Sequence, residues 1–238
     1  MNTVSVRKNG NLSYRDTQYS PAGSMWADCP KLAAIQDPFM ATWVKEPFTT
    51  FTAGDWAITE IDAVGTEAQT DVVGGGILLT TADTEDDSVE MQKLGEAYQL
   101  ATGKPLWFEA MLQVSEATQN DFIIGLCITD TTAIPAVSDG VYFLKVDEAT
   151  SITYHCEKDA GDTTANTGVA IVAATDTRFG IKFDGAGLVE YWIDGHRVAH
   201  SALTIPDDEL LTVTCGLSTG SGNARTMTWK GYEVFQIL

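Results

Sequence analysis

Positive charge is what this chain most lacks: 14 Lys and Arg stand against 33 Asp and Glu in 238 residues, a formal net charge of −19. That balance excludes recognition of nucleic acid by phosphate neutralisation and argues against contact with anionic membranes. Cysteine is sparse too. Cys29, Cys127, Cys156 and Cys215 show no C-x-x-C spacing, which removes zinc-ribbon and dithiol chemistry, and Cys127 and Cys215 sit inside apolar segments where a reduced thiol acts as a small hydrophobe. The three histidines, His155, His196 and His200, are not set with a G-x-S-x-G elbow or a papain-like cysteine signature, so nucleophilic hydrolysis finds no motif. No apolar run reaches membrane-spanning length, and the opening M-N-T-V-S-V-R-K-N-G has no apolar leader core. The expectation is synthesis and folding in a reducing cytoplasm, with no cofactor and no metal.

Sustained helical periodicity is also missing, since no segment of period 3.6 exceeds two turns. Short segments with period-two alternation recur instead at Trp56–Ile61, Gly76–Thr81, Ser88–Lys93, Ala97–Leu100, Leu106–Val114 and Phe122–Ile128. They continue at Val141–Val146, Ser151–Glu157, Val169–Val172, Thr177–Phe183, Leu188–Ile193, Leu211–Ser218 and Thr226–Phe235. The pattern predicts an all-β fold, a two-sheet antiparallel sandwich of jelly-roll type, over residues 48–238. Its clearest stretch is R-F-G-I-K-F-D-G-A-G-L-V-E-Y-W-I-D-G-H-R-V-A, Arg178 to Ala199. Phe179, Ile181 and Phe183 alternate with small or polar residues, as do Val189, Tyr191 and Ile193, and Asp184-Gly185 and Asp194-Gly195 offer the positive φ that hairpin turns need.

Residues 1–47 read differently. Four of the chain's seven prolines, Pro21, Pro30, Pro38 and Pro47, fall there among isolated aromatics without periodicity, which predicts an extended arm lying on another surface. Residues 1–35 carry Arg7, Lys8, Arg15 and Lys31 against Asp16 and Asp28, a net +2 that leaves −21 for the remainder. A basic arm on an acidic body suggests that the two meet different surroundings. The arm residues expected to make contact are Arg7, Lys8, Tyr14, Arg15, Tyr19, Trp26, Phe39 and Trp43.

The hairpin stretch, together with E-A-Y-Q-L-A-T-G-K-P-L-W-F-E-A-M-L-Q-V, D-F-I-I-G-L-C-I-T-D and the closing L-T-V-T-C-G-L-S-T-G-S-G-N-A-R-T-M-T-W-K-G-Y-E-V-F-Q, resembles the concanavalin A-like (laminin G-like) jelly-roll domains, notably those of tailed-bacteriophage structural proteins. The resemblance implies a non-enzymatic virion protein, a capsid decoration or stabilising protein on the capsid exterior. Its partners would be the major capsid protein and neighbouring copies of itself, as a dimer or trimer.

Two rival classes have sequence features of their own. Glu85, Asp87 and Glu90 satisfy the loose E-x-D-x-x-E pattern of laminarinase-like glycoside hydrolases, which need two carboxylates about 5 Å apart. Asp83 to Asp87 reads more simply as a solvated acidic turn, and the same loop offers oxygens of the type that calcium takes. Glycan binding in a head- or tail-fibre module would need an exposed aromatic. Trp192, on the strand face opposite Val189, Tyr191 and Ile193, is the candidate glycan platform or interface anchor. Trp229 alternates with threonine and is expected in the core.

Overall fold

The computed structural model describes residues 3–6, 12–15, 24–31, 37, 39–62, 64–149 and 151–238, with the side chains of 3–6, 12–15 and 135 left aside. Arg7, Lys8 and Tyr19 lie outside the described residues. Tyr14 and Arg15 fall in a short hairpin of β1 (Thr3–Val6) with β2 (Leu12–Arg15).

The body is two antiparallel sheets. One holds β4 (Trp56–Ile61), β7 (Ser88–Lys93), β9 (Asn120–Cys127), β10 (Gly140–Lys145), β11 (Thr153–Lys158), β12 (Gly161–Asn166) and β16 (Thr212–Thr219), in the order β12-β11-β10-β9-β16-β7-β4. The other holds β5 (Thr66–Gln69), β6 (Ile77–Thr80), β8 (Leu106–Val114), β13 (Thr177–Phe183), β14 (Val189–Ile193), β15 (His196–Ser201) and β17 (Thr226–Ile237), in the order β15-β14-β13-β8-β17-β6-β5. An eighth strand, β3 (Ala41–Glu46), pairs with the C-terminal half of β17. The all-β sandwich expected from the alternation is therefore present.

One residue set from each sheet faces the other. Phe108, Leu112, Phe179, Ile181, Tyr191 and Trp229 meet Met91, Phe122, Ile124, Phe143, Val213 and Cys215 in one continuous core, all fully buried. Tyr191 keeps its hydroxyl satisfied there by donating to the His155 carbonyl at 2.6 Å. The expected core place of Trp229 holds. The cysteines are free thiols: Cys127, Cys156 and Cys215 are buried, Cys29 half-buried.

Several expectations are revised by tertiary context. Ala97–Leu100 forms only an isolated bridge, Tyr98 to Leu211, and Val169–Val172 is irregular. Asp194-Gly195 makes the expected two-residue hairpin, with φ of 48° and 78°. Asp184 instead opens a longer loop, its Oδ1 accepting the Ala186 and Leu188 amides at 2.7 and 3.0 Å. Strands β5 and β12 were not signalled because they are short edge strands, polar and mostly exposed, and such edges need no apolar alternation.

A bulge decides how β17 serves two partners. The register against β8 shifts between Trp229 and Tyr232, and Gly231 there adopts φ 124°, a value glycine reaches without strain. Before the bulge β17 pairs with β6, after it with β3.

Candidate functional site

Exposed strand faces are usually polar, but the outer face of the eight-stranded sheet carries a row of large side chains. Register places Lys45, Glu233, Glu109, Gly180 and Trp192 side by side across β3, β17, β8, β13 and β14. The parallel row runs Trp43, Phe235, Trp107, Lys182 and Glu190. Such a surface needs a cover, and the N-terminal segment supplies it. The 3-10 turn Met25–Asp28 and residues up to Lys31 lie on this face, where Met25, Ala41, Trp107 and Phe235 form a buried cluster flanked by Trp26, Cys29, Trp192 and Ile237.

The segment is fastened by a directional set of contacts. Trp26 Nε1 donates to Glu109 Oε2 at 3.1 Å, and Trp43 Nε1 donates to Glu233 Oε1 at 2.8 Å. Lys31 Nζ reaches the same Glu233 oxygen at 2.5 Å and lies 3.8 Å from the Trp26 ring centroid, adding a cation–π contact to an ion pair. Asp28 accepts from Lys182 Nζ at 2.7 Å and from Trp107 Nε1 at 3.3 Å. Gly180 makes room for this cover, because a Cβ there would meet the Met25 sulfur at 2.8 Å. Burial pushes the Glu109 carboxyl above its usual range, opposed by Arg178 and by the Trp26 hydrogen bond, and reinforced by neighbouring Glu233.

Two openings flank Trp26 on this face. One, about 480 Å³, is bordered by Lys31, Lys45, Glu109, Arg178, Lys230 and Glu233. The other, about 270 Å³, is bordered by Ser24, Trp26, Glu109, Arg178, Trp192 and His196. Ser24 Oγ and Trp192 Nε1, both buried, have no hydrogen-bond partner. Each such unmade bond costs about 1–3 kcal/mol.

The candidates from sequence are distributed as follows. Trp192 faces outward as alternation requires, yet it is half-buried beneath the N-terminal segment rather than a free platform. Trp26 and Trp43 are body contacts, while Phe39 is 87% exposed. His196 is exposed at the start of β15. The residues missed by sequence are Glu109, Glu233, Arg178 and Gly180. The available signal was a lone carboxylate inside each of the apolar strands L-W-F-E-A-M-L-Q-V and Y-E-V-F-Q.

The E-x-D-x-x-E acids do not form a catalytic pair. Glu85 is exposed in a turn, whereas Glu90 is buried, its two oxygens accepting the Ala133 and Ile134 amides at 2.7 and 2.9 Å. Gln92, also outward on β7, holds the Ile128 carbonyl at 2.9 Å and the Asp130 amide at 2.8 Å. Together they clamp residues 128–137, including the helical turn Ala133–Ala136, onto the outer face of the seven-stranded sheet, where Ile123, Tyr142 and Leu144 pack beneath it. Burial raises the Glu90 carboxyl and these two amides oppose the rise. The acidic loop is not wholly solvated either, for Asp87 is buried and accepts the Thr84 amide at 2.7 Å.

No family model matches the chain, and no curated protein matches its sequence. Solved structures do match. The endo-1,3-beta-glucanase from Streptomyces sioyaensis aligns over 84% of this chain and 98% of its own at a TM-score of 0.60 and 10% identity. The Bacillus licheniformis beta-glucanase aligns over 81% and 97% at 0.59 and 12%. The carbohydrate recognition domain of Emp47p aligns over 84% and 96% at 0.56 and 10%. The fold is the concanavalin A-like jelly roll. Within it, glucanases and carbohydrate recognition domains share one architecture with this chain, so the fold is compatible with catalysis and with binding alike.

Proposed function

We propose that this concanavalin A-like protein is a non-catalytic structural protein of a virus particle, a capsid decoration or stabilising protein anchored through its N-terminal arm. The observation that carries the reading is the fate of the carboxylates. Glu90 is spent on a loop, and Glu109 and Glu233, adjacent across β8 and β17, are occupied by Trp26, Trp43 and Lys31 of the chain itself. A hydrolase would keep such a pair open to substrate. Here the pair serves as the seat of an N-terminal strap whose upstream residues include the basic Arg7, Lys8 and Arg15. Strand β3 and the strap form the root of the arm, and the residues ahead of it reach the shell, pairing with the major capsid protein and with neighbouring copies. The acidic body faces solvent and keeps decorated particles apart by like charge.

Co-sedimentation with capsids assembled from the source virus's major capsid protein tests this reading. Saturable binding by the full chain that is lost on removing residues 1–23, which leaves the strap in place, supports it; no binding by either form refutes it.

A second reading has its own observation. The 270 Å³ cavity between Trp26 and Trp192, bordered by Arg178, Glu109 and His196, has the aromatic walls and polar border of a saccharide subsite. The matched recognition domains make glycans the natural class to test. Binding on a glycan array that is abolished by Trp192→Ala supports it, and an array without signal removes it.

A further inference from the structure

The hairpin of β11 and β12, on the other sheet, gathers three ligand-type side chains that neither reading uses. His155 and Glu157 are two residues apart on β11, so both point outward while Cys156 between them enters the core. Glu157 stands opposite Asp162 of β12, and His155 Nδ1 lies 2.9 Å from Asp162 Oδ2. One donor atom from each of the three lies within 4.8 Å of the others. The connecting residues Asp159 and Ala160 both have positive φ, 52° and 58°, the geometry of a tight two-residue turn that fixes the register.

Outer contacts orient the donors. Tyr142 stacks on the imidazole at 4.7 Å and 6°, and its hydroxyl donates to Glu157 Oε2 at 2.6 Å. Imidazole Nε2 lies 3.0 Å from Thr153 Oγ1 and 3.3 Å from Thr164 Oγ1, which leaves Nδ1 as the nitrogen aimed at the carboxylates. Charge is unbalanced at the same point. Among the described residues no Lys or Arg forms an ion pair with Glu157 or Asp162, and the neighbouring Lys158 is engaged by Asp207 and Asp208 at 2.5 and 3.0 Å. Two carboxylates therefore converge on one imidazole.

We infer that His155, Glu157 and Asp162 bind one divalent transition-metal ion of the zinc class, through Nδ1 and one oxygen from each carboxylate, with water completing the shell. A nitrogen with two carboxylate oxygens suits zinc, cobalt or manganese better than calcium or magnesium, which take all-oxygen shells. Binding leaves the Nε2 proton donated to a threonine hydroxyl, releases any proton on Nδ1 to solvent and changes no oxidation state. The ion would staple the exposed edge strand β12 to β11.

The test is calorimetric titration of the full-length, chelator-treated chain with zinc chloride, and with cobalt(II) followed by visible absorption. The expected result is one site per chain, with a melting temperature that climbs with metal concentration. Asp162→Asn, at a partly exposed edge position, should weaken binding at least about tenfold with unchanged circular dichroism. The double variant His196→Ala, His200→Ala should bind like the parent. Absence of a saturable site, or full affinity in Asp162→Asn and His155→Gln, overturns the assignment. If those variants fail to fold, cobalt-induced shifts of the His155 and Tyr142 ring protons in the parent decide it: their absence overturns it equally.

Discussion

Trp26 donates its indole N–H to Glu109 across 83 residues of sequence, at 3.1 Å, and so ties the arm to the body at the centre of the eight-stranded sheet. Glu109→Ala should therefore loosen the cover without unfolding the sandwich. The expected cost is about 1–3 kcal/mol for a lost charge-assisted bond. Tryptophan emission should shift to the red, and trypsin should cut faster after Lys31. Unchanged proteolysis would show that the segment is held by other contacts.

Gly125 lies in β9 with no space for a side chain, since a Cβ would come within 2.6 Å of the Tyr142 Cα. The obstacle is backbone and cannot rotate away. Gly125→Ala should lower stability by about 3 kcal/mol, the upper range of overpacking, measured by urea unfolding. Gly180→Ala meets chiefly the flexible end of the Met25 side chain, at 2.8 Å, with the Trp192 Cβ farther off at 3.3 Å, and should cost less.

Asp121 supplies the pH prediction. Burial pushes its carboxyl up to about 6 from an ordinary 3.8, with the Asp147 amide opposing the rise. Folded protein then holds a proton that unfolded chain releases between those values, so this group's contribution is full below pH 3.8 and fades as pH rises to 6. Asp121→Asn should stabilise the protein at pH 7.5, by about 1–2 kcal/mol after allowing for solvent screening. At pH 4 the gain should nearly vanish. Melting temperatures at the two pH values provide the check, and an equal effect at both would contradict it.

Glu90 answers the hydrolase question from the stability side. Removing its carboxylate by Glu90→Ala leaves the Ala133 and Ile134 amides without acceptors. The expected loss is about 2–3 kcal/mol, with residues 128–137 newly open to hydrogen exchange. Turnover of a β-glucan by the parent chain, abolished by this change, would reverse the non-catalytic reading.

Thiol chemistry should be silent in the native state. Cys127, Cys156 and Cys215 are buried and burial pushes all three thiols up, as it does the half-buried Cys29. Ellman's reagent at pH 8 should titrate no thiol within minutes and four in urea.

Much of the fold was local information. Alternation at Phe179, Ile181 and Phe183, and at Val189, Tyr191 and Ile193, determined which faces enter the core, because a pleated strand projects successive side chains to opposite sides. Asp194-Gly195 determined its turn through positive φ. What alternation could not reveal is what lies on the far face. Glu109 and Glu233 are 124 positions apart, and His155 and Asp162 meet only once β11 pairs with β12; register, a property of the closed sheet, brings them together. Glu90 likewise reads as an acid in an acidic stretch until residues 128–137 fold over it. The sequence by itself determined an acidic body of short alternating strands. Only the tertiary structure decided that Trp26 and Trp43 lie over that body and that Glu90, Glu109 and Glu233 are taken, because desolvation and partner choice arise when both faces of a sheet acquire neighbours.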